Sequence, residues 1–268
     1  MNAIKEFFGV GGYHRTPEGY MSWQHLLFVS AFMVIMVGLS VWLGLRNKTK
    51  DEKTKNKVIA WSAIILDALK VLEMVVCCLK DKSFHPLLYL LPLFLCSMMM
   101  IALPLAAFSK GRLKEAALDF VFIFGILGAV MGTYGAGQNF STYPILSFDN
   151  VLSVVTHSLS GFASLYIAIS GLTSMKTKNI WITFVILCSF CVLAYIADVL
   201  IPYNYMFLMR GDGTPYDIFY NLVNGNRVLY PLCVVLLFLL YLSIFYWVYF
   251  LVRRRKMKKE AKQSAAEE

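Results

Sequence analysis

The chain has 268 residues, 59% of them hydrophobic and 15% charged, with a formal net charge of +9 and a mean hydropathy of +0.64. Soluble domains average about a quarter charged residues. The composition therefore excludes a disordered chain, a nucleic-acid-binding domain and a small disulfide-stapled secreted fold, and points to an all-α polytopic protein with the lipid bilayer as its main partner.

A helix needs about 20 apolar residues to cross roughly 30 Å of hydrocarbon. Residues 1–24 are polar and rich in Gly and Tyr, without the basic start and apolar core of a cleavable signal, and read as an extracytoplasmic segment. Seven predicted transmembrane helices follow, at 25–45, 58–79, 87–108, 117–135, 151–173, 180–200 and 229–252, and 253–268 form a basic tail. The second span holds Asp67, Lys70 and Glu73, and the third holds Pro92 and Pro104. The fourth is short and ends among Gly132, Gly135 and Gly137. These unbroken runs are about twice the length of a barrel strand, which excludes an outer-membrane barrel.

The charges alternate from one connecting segment to the next. Segments 46–57, 109–116, 174–179 and 253–268 together carry +12, segments 1–24, 80–86, 136–150 and 201–228 sum to 0, and the spans hold −3. Under the positive-inside rule this places the N-terminus outside and the C-terminus in the cytoplasm of a cell membrane. Removing or adding one span would break the alternation.

All six cysteines, Cys77, Cys78, Cys96, Cys188, Cys191 and Cys233, fall within spans and read as unbridged. The Cys188-x-x-Cys191 pair lacks a second pair of ligands, so neither a metal nor a cofactor is expected. Gly125, Gly128, Gly132 and Gly135 recur on one side of the fourth span, while Thr156, Ser160 and Ser164 fall four apart on the fifth. Such small-residue stripes let helix backbones approach closely in lipid and are read as packing faces.

Charged side chains at membrane depth cost a few kcal/mol each and turn toward a cavity or a partner. Asp67, Lys70 and Glu73 are spaced i, i+3, i+6, so Lys70 is expected to reach both carboxylates. Counting depth from the predicted ends places Glu73, Cys96, His157, Asp198, Asn204, Tyr205 and His25 in the outer half-layer. This suggests a ligand-binding cavity open to the outer face, lined by Asp67, Lys70, Glu73, His157, Asp198, Asn204 and Tyr205.

Three stretches carry a likeness: Leu91-Pro92-Leu93-Phe94-Leu95-Cys96, Thr156-His157-Ser158 with Tyr166, and Pro202 to Leu208. They resemble the YwaF-type family of bacterial multi-pass membrane proteins, whose activity is unassigned, over roughly 20–245. The resemblance implies a distant similarity to eukaryotic membrane fatty-acyl hydrolases and transferases, which use a buried His with a nucleophile from another helix. His157 matches the family's helix-five histidine, and Asn204-Tyr205 its Asn-Tyr pair. Phe94 stands where the family usually has a second histidine, which puts chemistry by that position in doubt.

Two functions follow as expectations. The first is a protein that binds or translocates a small polar or amphipathic ligand. The second is a membrane-embedded lipid acyl hydrolase or transferase, with Cys96 as nucleophile and His157 as base. The sequence shows no inverted repeat that would point to alternating-access transport, and a receptor reading rests on helix count alone.

Overall fold

The computed structural model describes residues 3–173 and 175–267, with side chains through Lys258. Ser174, the ends of the chain and the outermost side chains of the basic tail lie outside the described residues. Ten α-helices and no strand occur among the described residues: α1 (Ala3–Phe8), α2 (Trp23–Asn47), α3 (Glu52–Asp81), α4 (Met99–Phe108), α5 (Gly111–Met131), α6 (Gly137–Thr142), α7 (Phe148–Ser170), α8 (Ile180–Leu200), α9 (Asp217–Leu222) and α10 (Leu229–Glu267). Four of them, α2, α7, α8 with its leading turn, and α10 to Lys258, are long and apolar enough to cross a membrane. Helix α3 has the length, but its charges interrupt the apolar run. The chain divides into two compact units, Met1–Ala194 and Tyr195–Glu268.

In the first unit α7 is the central helix, packed by α2, α3 and α5. Its start is set by Ser147, whose hydroxyl accepts the Asn150 amide, and its end by Gly171 at φ 69°. Side-chain partners fix the helix directions. Lys80 of α3 meets Asp149 at the start of α7 at 2.9 Å, while the Tyr166 hydroxyl near its end donates to Lys55 O at 3.2 Å. Helices α3 and α7 are therefore antiparallel. Ser164 donates to Phe122 O, and Gly132 lies against His157, so α5 also runs antiparallel to α7. Ser40 donates to Phe162 O and Asn47 to Tyr166 Oη, which makes α2 parallel to it.

The two small-residue stripes expected from the sequence meet each other. A Cβ on Gly125 would lie 2.7 Å from Ser160 O and 2.8 Å from Ser164 Cβ, so only glycine admits this approach of α5 to α7. Beside this stripe, Gly161 is crowded in the same way by Met36 of α2 and Ala129 of α5.

The third predicted span differs from its expectation. Over 87–108 the chain is helical only from Met99; before it come a 3₁₀ turn at His85–Leu88 and a run of turns through Met98. Pro92 supplies no amide and disfavours helix at Leu91. The freed groups are satisfied locally: Phe94 N donates to Ser97 Oγ at 3.0 Å, Leu93 N to Leu91 O and Met98 N to Phe94 O. Non-helical backbone at membrane depth survives only where protein or a cavity surrounds it.

In the second unit Asn204 organises a loop. Its amide nitrogen donates to Arg210 O at 2.7 Å and Asp212 Oδ2 at 2.8 Å, and its Oδ1 accepts Met209 N at 2.9 Å. Asp198 Oδ1 accepts the Tyr205 amide at 2.6 Å.

Candidate functional site

The unwound stretch before α4 delivers Cys96 to a small cavity shared with Lys70 and Leu66 of α3 and with Thr156, His157 and Ser160 of α7. Its volume is about 10 Å3, on the order of the room one water occupies. Cys96, His157 and Lys70 thus face one another across the same small space.

The histidine is held in one orientation. Its Nδ1 sits 2.7 Å from Ser153 O. A carbonyl oxygen only accepts, so Nδ1 carries the proton and Nε2 keeps its lone pair. The other face of the ring rests on Gly132, where an added Cβ would lie 1.9 Å from Cδ2 and 2.1 Å from Nε2. One turn earlier a Cβ on Gly128 would meet Cys96 Cβ at 3.9 Å. Within the Gly128-x-x-x-Gly132 pair, read from sequence as a packing face, it is therefore Gly132 that makes room for the imidazole, while Gly128 faces Cys96 in ordinary contact.

His25 shows the contrast. It is fully buried, its Nδ1 accepts Met21 N at 3.2 Å and its Nε2 donates to Thr133 O at 3.2 Å. With both nitrogens occupied, it joins the start of α2 to the end of α5.

The Asp67–Lys70–Glu73 expectation is corrected. Lys70 bonds Glu73 at 2.7 Å, and Asp67 Oδ1 is buried without a hydrogen-bond partner. The Lys70 side chain turns toward Glu73, one turn toward the helix C-terminus, and so away from Asp67, one turn in the other direction. Farther toward the end of α3, Lys80 and the Tyr13 hydroxyl both bond Asp149, and Lys80 lies over the Tyr13 ring. Asp149, Ser153 and His157 recur every four residues on α7; Lys80 of α3 bonds the first, and Lys70 of α3 shares the Cys96 cavity with the last. Asp198, Asn204 and Tyr205 belong to the second unit, where Asn204 commits both ends of its amide to its own loop. Among the described residues no three His, Cys, Asp or Glu side chains are placed to hold a metal ion.

Long apolar helices packed through small residues define an all-helical membrane protein. A family model matches residues 20–247, and the chain belongs to the TMEM164 family, a family of membrane proteins. No characterised protein and no solved structure matched the chain.

Proposed function

We propose that the chain is a seven-span protein of the cell membrane, N-terminus outside, that transfers acyl groups to or from lipid through a thioester on Cys96. The observation that carries the chemistry is the small cavity that Cys96 shares with a His157 whose Nδ1 is already spent on Ser153 O, which leaves Nε2 as the base. In the first step Sγ attacks an ester carbonyl carbon while its proton passes to Nε2. The C–O bond then breaks, and the departing alcohol takes that proton. In the second step a water or lipid hydroxyl gives its proton to Nε2 and attacks the thioester, which releases the thiol. Lys70, with two ammonium hydrogens beyond its bond to Glu73, is the donor for the oxyanion of each step. The water-sized cavity holds the reacting carbonyl and leaves the acyl chain to Leu66, Met100 and the surrounding lipid.

The alternation of directions among α2, α3, α5 and α7 supports the topology assigned from charge. The narrower YwaF-type likeness rests on the three short motifs. Phe94 replaces a histidine, but the pair proposed to do the chemistry is Cys96 and His157, and neither depends on that position. The reading of a non-catalytic ligand cavity has less behind it, since Glu73 is engaged by Lys70 and Asn204 by its loop.

The test is a membrane preparation incubated with a long-chain acyl ester, in which a hydroxylamine-sensitive acyl adduct is sought by mass spectrometry. The adduct is expected on Cys96, is absent in Cys96→Ala and falls at least a hundredfold in rate in His157→Ala. Adduct formation that survives Cys96→Ala overturns the assignment.

A further inference from the structure

Helix α10 is one helix from Leu229 to Glu267, and it changes character at a single point. Residues 229–252 hold no charged side chain. At 1.5 Å per residue this run is about 36 Å long, enough to cross the hydrocarbon of a bilayer. Trp247 stands exposed near its end, as indoles do at the boundary with the headgroups. The next six residues, Arg253, Arg254, Arg255, Lys256, Met257 and Lys258, hold five cations. The switch from oil to charge takes one residue, from Val252 to Arg253.

Geometry and pairing give this block a specific form. Successive helical residues turn by about 100°, so Arg253, Arg254, Arg255 and Lys256 leave the axis toward all four quarters. They and Lys258 are exposed, and together they occupy only about 7.5 Å of helix. The cations therefore make a collar and not a face. The helix continues past them to Glu267, so the chain that follows leads away from the collar along the axis. Among the described residues no carboxylate pairs with Arg254, Arg255 or Lys258. Lys114 and Lys176 of the first unit, by contrast, each hold one, Glu52 and Glu115. Like charges gathered this closely repel one another and draw in anions.

We propose that the collar is a binding surface for anionic phospholipid headgroups in the leaflet where α10 leaves the membrane. It lies in the second unit and is read without reference to acyl transfer. The bilayer is the partner that the form of the collar fits. Just past the apolar run, headgroups surround the helix on every side and offer phosphate to each quarter, whereas a soluble acidic protein meets one side of it. Each Lys or Arg at the surface strengthens attraction to an anionic leaflet by roughly fivefold, and the five of the collar act on the same few headgroups.

The experiment reconstitutes the full-length chain in phosphatidylcholine bilayers with a trace of spin-labelled phosphatidylglycerol or spin-labelled phosphatidylcholine. Electron spin resonance reads the fraction of each lipid held at the protein surface. The parent is expected to favour phosphatidylglycerol at least twofold at low salt and to lose that preference in 1 M NaCl, where screening acts within about 3 Å. Arg254→Gln, Arg255→Gln and Lys258→Gln together should remove at least half of the preference. Lys48→Gln, Lys50→Gln and Lys53→Gln together, an equal loss of charge in a loop that also carries Asp51 and Glu52, should remove less than a quarter. Thermal melting confirms that both triple variants keep the parent fold. Equal retention of the two lipids by the parent, a preference that persists in 1 M NaCl or survives loss of the collar, or an equal loss in both variants overturns the proposal. Collar-dependent capture of soluble polyglutamate without any preference for phosphatidylglycerol assigns the collar to an acidic protein and overturns it as well.

Discussion

Replacing Gly132 by Ala tests the geometry of the thiol–imidazole pair with the smallest change available. Gly132 has φ −78° and ψ −4°, which alanine adopts freely, so no backbone strain enters. The new Cβ would stand 1.9 Å from His157 Cδ2, roughly 1.5 Å inside the 3.4 Å at which ordinary contact begins. The ring must swing away from Cys96 or α5 must retreat from α7. Overpacking of this kind costs about 1–3 kcal/mol, against a gain of about 0.5–1 kcal/mol for alanine over glycine in a helix. Displacing a base by an ångström or more costs about 100-fold in rate. The control is Gly128→Ala, whose Cβ would reach Cys96 Cβ at 3.9 Å in ordinary contact. Thermal melting in detergent and the rate of thioester formation on Cys96 are the readouts. Gly132→Ala should lower both and Gly128→Ala neither. A Gly132→Ala protein that acylates at the parent rate, or a Gly128→Ala protein that is the more impaired, would refute the placement of His157.

Three further outcomes are expected. Accessibility tags inserted at 46–57 should report cytoplasm and those at 136–150 the outside; the reverse for either defeats the assigned topology. Lys70→Met should leave Glu73 as an unpaired carboxylate at membrane depth and destabilise the chain by about 2.5–3.5 kcal/mol. Adding Glu73→Gln should restore most of that stability but not the acylation rate, and a double variant as unstable as the single one refutes the pairing. Burial, together with the Asp149 carboxylate beside it, holds the Tyr13 hydroxyl well above the usual tyrosine range. A raised pKa in the fold means that the stabilisation is complete below about pH 10, the ordinary tyrosine value, and is lost as pH climbs beyond it. Limited proteolysis of the N-terminal segment should therefore accelerate above pH 10 in the parent, and Tyr13→Phe should lose that pH-dependent component.

Much of the first unit was legible from residue type and spacing. Gly125 and the Ser160–Ser164 stripe announced themselves as small residues at helical spacing, and they do meet. The chemistry was harder to see because histidine roles are set by distant partners. His25 and His157 look alike in the sequence, yet Thr133, 108 residues away, occupies the second nitrogen of one and nothing equivalent is bonded to that of the other. Lys70 was legible as an ion-pair donor, but helical spacing offers it Asp67 and Glu73 equally, and only the structure shows that it takes Glu73. Pro92 hinted at disruption, whereas a helix ended as far along as Met98 reflects how Ser97 and local carbonyls take up the freed amides. Asn204 stood out as a polar residue among apolar ones, and only the turn from Tyr205 to Asp212 reveals that it holds its own loop together.

The shortness of α4 bears on how the protein is made. Ten residues give a helix of about 15 Å, half of the hydrocarbon thickness. Such a piece has no independent route into the bilayer from the translocation channel, and the turns before it expose backbone that lipid cannot solvate. The nascent chain must keep the 85–108 region sheltered until α5 and then α7 emerge to receive it. On the proposed seven-span topology, Cys96 would enter the membrane as part of a folding event, not as part of an already inserted helix. A chain truncated after α4 would leave this region unintegrated, and a nascent chain long enough to contain α7 would carry it home.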